Sequence, residues 1–240
     1  MALLQDRVAM ITGGTGALGR AVAERFLSEG AKVAIPYIID AEVPMLEQRL
    51  GGRFPKANLL VSKVDVSHHE QLGKFVNEAV TKFGRIDALV NLVGGFWGGK
   101  PISETTLDEW QAMFDINLKP TFMCCKAVVP IMQKNKFGRI VSVASRSGLM
   151  GAGDFAAYAI AKGAIATFTY SLAEEVLNDG VLVNAIAPST IDTEANRKAM
   201  PNAKHERWVK PEAIANTLSF LCSESNQVTS GAVVPVYGLA

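Results

Sequence analysis

The chain has 240 residues, 49% of them apolar and 20% charged, enough apolar material to bury the core of one large domain or two small ones. Its 24 basic and 23 acidic residues leave a formal net charge of +1, with no run of five or more basic residues. That balance excludes the electrostatic footprint of a nucleic-acid binder or of a protein drawn to an acidic membrane surface.

Short apolar runs alternate with longer amphipathic stretches along the whole chain. Strands are predicted at Arg7–Ile11, Lys32–Tyr37, Asn58–Val64, Ile86–Asn91, Gly138–Val143, Val181–Ala187 and Ala232–Val236. Helices are predicted at Ala17–Glu29, Ala41–Leu50, His68–Phe83, Leu107–Lys134, Phe155–Asn178 and Pro211–Ser223. Several strands are apolar on both faces, as expected of a parallel sheet covered on both sides by helices. The expectation is an α/β fold: a single-domain, Rossmann-type, doubly wound parallel sheet of about seven strands, spanning residues 1–240. Right-handed crossovers then bring the C-terminal ends of the strands to one rim, where ligands bind. No 18-residue apolar stretch is present to span a membrane, and Met1–Val8 carries no export signal. The three cysteines, Cys124, Cys125 and Cys222, are odd in number, and two are adjacent. They suit burial in a reducing compartment better than a disulfide framework, so a cytoplasmic location is expected. No CxxC or CxxH spacing suggests a metal. His68 and His69 follow Ser67 in Ser67-x-x-Glu70, which reads as a capping box with two solvated histidines.

After the first strand comes Thr12-Gly13-Gly14-Thr15-Gly16-Ala17-Leu18-Gly19, then a helix. Gly13 allows the tight turn, Gly16 lets backbone amides approach a pyrophosphate, and Gly19 lets helix and strand pack closely. The helix N-terminus favours the anion. A glycine repeat is a weak signal alone, but the strand–loop–helix context makes it a dinucleotide site. Tyr37-Ile38-Ile39-Asp40 ends the second strand without an acid at its tip. The absence of a carboxylate at Tyr37 leans toward NADP; the absence of a base leaves NAD open. Asp40 reads equally as a helix cap. Asp65, closing the third strand, is placed to accept from an adenine amino group or to cap a turn. Asn91-Leu-Val-Gly94-Gly95 closes the fourth strand with glycines that permit approach to a ribose.

Tyr158 and Lys162 stand at i, i+4, one turn apart on one face of a helix. A free phenol titrates near ~10, too high for acid–base work at neutral pH, and a neighbouring ammonium favours the phenolate. YxxxK also arises by chance. Ser145, ending an apolar strand at the rim, adds a hydroxyl for a substrate oxygen. Asn117 lies within a helix, where asparagine is a poor former; a kink with bound water and an exposed polar position both account for it.

Together, Thr12 to Gly19, Asp65-Val66, Asn91 to Gly94, Asn117, Ser145, Tyr158/Lys162 and Pro188 to Thr193 resemble the short-chain dehydrogenase/reductase family in order and spacing over nearly the whole chain. The resemblance implies an enzyme in which Tyr158 is the acid/base. Lys162 would bind the nicotinamide ribose and lower the tyrosine pKa, Ser145 would orient the substrate, and Asn117 would hold a water. It also implies that Gly13, Thr15, Gly16, Leu18, Gly19, Tyr37, Asp65, Val66, Asn91, Val93 and Gly94 hold NADP or NAD, with Pro188, Ile191 and Thr193 at the nicotinamide end. Ala17 and Ser189 stand where many members have glycine. Gly94 to Gly99, Asn196 to Pro201 and Trp208 further resemble segments of dihydropteridine reductases. In the family the two long helices pair across a two-fold axis, implying a homodimer or homotetramer.

The leading expectation is therefore reduction of a small-molecule carbonyl, of 3-oxoacyl or small-ketone type, or the reverse. The alternatives are a quinonoid dihydropteridine reductase, whose flat substrate would stack on Phe96, Trp97 or Trp208, and a non-catalytic NAD(P)-binding sensor or scaffold. Substrate loops are expected at 94–101, 146–155 and 190–208, with Arg146 or Arg197 available to a carboxylate or a carrier's phosphopantetheine.

Overall fold

In the computed structural model, which describes residues 2–239, seven strands form one sheet: β1 (Val8–Thr12), β2 (Lys32–Tyr37), β3 (Leu59–Lys63), β4 (Ala88–Asn91), β5 (Gly138–Val143), β6 (Val181–Pro188) and β7 (Val233–Val236). All pair in parallel, in the order β3-β2-β1-β4-β5-β6-β7. The order reverses between β1 and β4, where Thr12 lies level with Asn91. This is the topological switch point at which open α/β sheets bind ligands.

Eight helices connect or flank the strands: α1 (Ala17–Ser28), α2 (Val43–Leu50), α3 (His69–Phe83), α4 (Leu107–Asn135), α5 (Arg146–Met150), α6 (Ala156–Val176), α7 (Glu194–Ala199) and α8 (Pro211–Leu221). The period-2 alternation of the strands sorts the core into two layers. Ala9, Ile11, Val33 and Ile35 pack on one face with residues of α1, α2 and α8. Val8, Met10 and Leu89 pack on the other with residues of α3, α4 and α6. Phe26 on α1 and Phe75 on α3 are the largest fully buried side chains of these layers, and truncating either to alanine costs about 3–5 kcal/mol. Cys124, Cys125 and Cys222 are free and buried, and burial pushes the thiols of Cys125 and Cys222 up to about 12.

Three local expectations are corrected. Ser67-x-x-Glu70 forms no capping box. Asp65 Oδ1 instead accepts from the Ser67 amide at 2.8 Å, and α3 begins at His69 without a side-chain cap. The capping box of this chain is Thr106-x-x-Glu109, which starts α4. Residues 146–150 and 194–199, expected within loops, are short helices capped by Ser145 and Thr193, whose hydroxyls accept amide hydrogens at 3.2 Å. Asn117 is not an exposed polar position: it is completely buried. His68 and His69 are solvent-exposed as expected, and no group of metal-ligating side chains occurs among the described residues. No described helix is long and apolar enough to cross a membrane.

Candidate active site

A cleft of about 400 Å³ opens at the switch point. Of the residues expected to hold a dinucleotide, Gly13, Thr15, Gly16, Tyr37, Asp65, Val66, Val93 and Gly94 line it. Gly13 has φ +65, as its turn requires. A Cβ on Gly19 would sit 2.1 Å from the Gly13 carbonyl, so only glycine lets α1 start this close to β1. The first amides of α1 therefore face the rim, where an anion fits.

Other expected contacts lie elsewhere. Leu18 packs against the core on the α1 side of the sheet. The Asn91 side chain points inward: its Nδ2 donates to Ser142 Oγ at 3.1 Å and to Cys125 Sγ at 3.5 Å. Its rim contribution is left to the backbone. Asp40 is drawn outward into an ion pair with Lys63 on β3. Beyond β2 it is Glu42 that lines the cleft, and its Oε2 accepts from Thr15 Oγ1 at 2.7 Å. Sequence reading sought the acid at the tip of β2 and so passed over Glu42. A carboxylate one turn later, opposite a hydroxyl of the glycine loop, is the signal that would have found it.

The second group of residues meets at the mouth of the cleft. Ser145 ends the strand segment after β5, and α5 follows at once. Gly148 of α5 and Gly163 of α6 touch: a Cβ on Gly148 would lie 2.7 Å from the Gly163 nitrogen. This contact seats α5 on α6 and carries Ser145 to Tyr158, close enough for its hydroxyl to favour the phenolate. Lys162 is buried, and its Nζ donates to the Val143 carbonyl at 2.8 Å. Gly94 closes the group, since a Cβ there would sit 2.7 Å from Asn117 Oδ1 and 3.1 Å from Lys162 Nζ. Asn117 is buried because it clamps the loop after β4. Its Nδ2 donates to the Gly95 and Met113 carbonyls at 3.0 Å each, and its Oδ1 accepts from the Gly95 amide at 3.2 Å. Pro120, which has no N–H for the Ile116 carbonyl, interrupts the ladder of α4 beside it.

The electrostatics differ from the sequence expectation in one respect. Burial raises the Tyr158 pKa above its ordinary value, with the Ser145 hydroxyl opposing. The same burial brings Lys162 down to about 8, because a dry site disfavours the ammonium as it disfavours the phenolate.

At the far side of the rim, Pro188 ends β6 buried, and Ile191 bridges to Val209. The Thr193 hydroxyl is used in capping α7. Ser189 donates to the Tyr237 carbonyl at 2.6 Å, tying the rim to the segment after β7. Trp208 is not an open stacking platform: it is buried, with its ring 4.4 Å from that of His205.

A dinucleotide cleft that ends on a buried lysine, a phenol and a hydroxyl defines an oxidoreductase of the NAD(P)-dependent class. The family model described as short chain dehydrogenase matches residues 7–204, and the chain belongs to the short-chain dehydrogenase/reductase family. It is 33% identical to a meso-2,3-butanediol dehydrogenase of Serratia marcescens, over 97% of this chain and 94% of that one. It is 32% identical to a 3-oxoacyl-[acyl-carrier-protein] reductase of Synechocystis, over 93% and 92%. The solved structure of ElxO with NADP bound superposes with a TM-score of 0.90 at 28% identity, covering 97% of each chain. The chain is thus an NAD(P)-dependent enzyme of this family.

Proposed function

We propose that the enzyme reduces the carbonyl of a small ketone or 3-oxoacyl compound to a secondary alcohol, with Tyr158 as the proton donor. The observation that carries this reading is the convergence of the Ser145 hydroxyl, the Tyr158 phenol and the buried Lys162 at the mouth of the cleft. The dinucleotide supplies the hydride. The Tyr158 hydroxyl donates its proton to the carbonyl oxygen as that oxygen gains negative charge, and Ser145 holds the same oxygen by a second hydrogen bond. Lys162 and the Gly94 backbone, which adjoin each other at the mouth, would hold the nicotinamide ribose. Asn117 acts through the loop it clamps and keeps Gly94 against Lys162.

The test is oxidation of NADPH and NADH followed with small ketones, diketones, acetoacetyl thioesters and quinonoid dihydropterin in parallel. Ketone turnover that falls on Ser145→Ala supports the reading. Pterin turnover that survives Ser145→Ala, with no ketone turnover, overturns it. The burial of Trp208 removes one of the three rings on which the pterin alternative relied.

For the cofactor we favour NADP(H), since β2 ends on Tyr37 and is followed by Ile38 and Ile39 with no acid at the tip, and the relative ElxO carries NADP. Glu42 is then the group that opposes a 2′-phosphate. Glu42→Gln keeps a hydrogen-bonding partner for Thr15 and removes the charge. It is expected to tighten NADPH binding relative to NADH by about tenfold, the effect of ~1.4 kcal/mol of relieved repulsion. Fluorescence titration with both reduced nucleotides checks this; an unchanged ratio removes Glu42 from the ribose site. The buried free cysteines fit a reducing compartment such as the cytoplasm. A homodimer or homotetramer through α4 and α6 would cover Phe122, Ile160 and Tyr170, which stand exposed on them.

A further inference from the structure

Two features of the mouth of the site are not used by the proton chemistry. The first is an aromatic wall. Phe96 meets the Tyr158 ring nearly at right angles, at 84° with centroids 5.0 Å apart, and tilts against Phe155 at 5.2 Å. Yet Phe96 is 61% exposed, so most of its ring is left for something else to cover. Its place is fixed from both sides. Asn117 holds Gly95 on one side, and on the other the Gly99 amide donates to the Asp154 carbonyl at 2.9 Å. A Cβ on Gly98 would lie 2.4 Å from Phe155 Cδ1, so the loop lies directly on that ring. The wall is preorganised, and a ligand need not order it.

The second feature is that most cations around this mouth are already engaged. Arg197 is held bidentate by Asp192, at 2.5 and 2.9 Å. Arg146 lies over the Tyr237 ring at 5.1 Å. Lys100 pairs with Glu109 at 2.6 Å and covers the Trp97 ring. Lys198 pairs with Glu194 at 2.7 Å. Lys204, on the same stretch, is exposed to solvent, and the exposed Asp154 beside the wall is an anion. With four of these cations engaged and Lys204 balanced by the Asp154 carboxylate, little net positive charge is left for an anionic substrate, whereas an exposed ring beside the proton donor favours an apolar one.

We propose that the substrate is an uncharged ketone bearing a ring next to its carbonyl, and that Phe96 is the residue that selects it. The inference rests on the carbonyl-reductase reading and narrows it away from carboxylates and carrier-bound 3-oxoacyl groups. In the reaction the carbonyl carbon gains a hydride from NAD(P)H and the oxygen gains the Tyr158 proton. The ketone is thereby reduced by two electrons and the dinucleotide oxidised by two. The substrate ring meanwhile rests on Phe96, with Phe155 behind it.

A matched set of ketones tests this: acetophenone, 2-octanone with the same carbon count and no ring, and 4-acetylbenzoate with the same ring and an added carboxylate. Acetoacetyl-CoA stands for carrier-bound substrates. For the wild-type enzyme, kcat/KM for acetophenone is expected to exceed that for each of the others by about tenfold. Phe96→Ala should collapse the acetophenone to 2-octanone ratio by raising KM with little change in kcat, and Phe96→Tyr should retain it. A wild-type ratio near unity, faster turnover of 4-acetylbenzoate or acetoacetyl-CoA, or an equal loss for all ketones in Phe96→Ala overturns the proposal. Acetophenone binding, followed by quenching of tryptophan fluorescence, separates this from failure of the carbonyl chemistry. Binding weakened by Phe96→Ala without turnover of any ketone keeps the ring subsite and removes the reaction. Absence of both removes both.

Discussion

Replacing Tyr158 by phenylalanine is expected to lower kcat/KM for ketone reduction by about 10²–10⁴, the usual worth of a positioned general acid. The substitution removes one oxygen and keeps the ring, so the contact with Phe96 and the packing of α6 remain. Only the donor is lost. The Ser145 hydroxyl still reaches the carbonyl oxygen but has no acidic proton to deliver near neutral pH. Dinucleotide affinity should fall far less than turnover, because the phenol supplies one ribose hydrogen bond while the glycine loop and the cleft beside β2 and β3 do not involve it. Steady-state kinetics together with titration of the reduced nucleotide check both halves. Activity retained within a few-fold would mean that the proton comes from elsewhere.

Lys162→Met is expected to abolish most of the activity and yet make the protein more stable at neutral pH. Burial takes the Lys162 pKa from its ordinary 10.5 to about 8. The shift corresponds to about 3 kcal/mol of destabilisation by the buried ammonium, offset in the variant by about 1 kcal/mol as the Val143 carbonyl loses its donor. The sign follows from proton counts. Below about pH 8 the lysine is charged in both native and unfolded chains, and the destabilisation is fully present. Between about pH 8 and 10.5 the unfolded chain binds more protons than the native one, so wild-type stability rises with pH. The variant lacks this rise, and the gap between the two should close across that window. Urea melts at pH 7 and pH 10 measure it. A Met variant less stable than the wild type at pH 7 would show that the ammonium is well paired rather than strained. The same titration predicts that ketone reduction weakens above about pH 8, as Lys162 loses the charge with which it holds the ribose.

Much of this architecture is legible in the sequence because burial on both faces leaves a simple signature. The runs at Lys32–Tyr37 and Gly138–Val143 were expected as strands and are strands with those bounds, since burial on both faces selects predominantly apolar segments, with Arg139 and Ser142 as buried exceptions in the second. Strand β4 starts at Ala88, two residues after Ile86, although the sheet contact reaches one residue earlier: the Asp87 amide donates to the Val8 carbonyl at 2.8 Å and its carbonyl accepts from the Arg139 amide at 2.9 Å. The short helices α5 and α7 were hidden by their length: five and six residues carry too little periodicity to be read.

At the site, residue type and spacing revealed Tyr158, Lys162, Ser145 and the glycine loop, because their chemistry is tied to position in the chain. The parts that were not legible depend on side-chain direction. Asn91 turns into the sheet and Asp40 turns out to Lys63, while Glu42 turns in to Thr15. The pKa order was also not legible. An i, i+4 lysine suggests a lowered phenol, whereas the dryness of the pocket raises the phenol and lowers the amine.

The account depends on a phenol and an amine sharing one end of a dinucleotide. A crystal structure of the complex with NADP⁺ measures this directly. The prediction is a nicotinamide ribose within about 2.6–3.2 Å of both Tyr158 Oη and Lys162 Nζ, with the pyrophosphate on the first amides of α1. A ribose held away from both groups, with the dinucleotide still seated on the glycine loop, would contradict it.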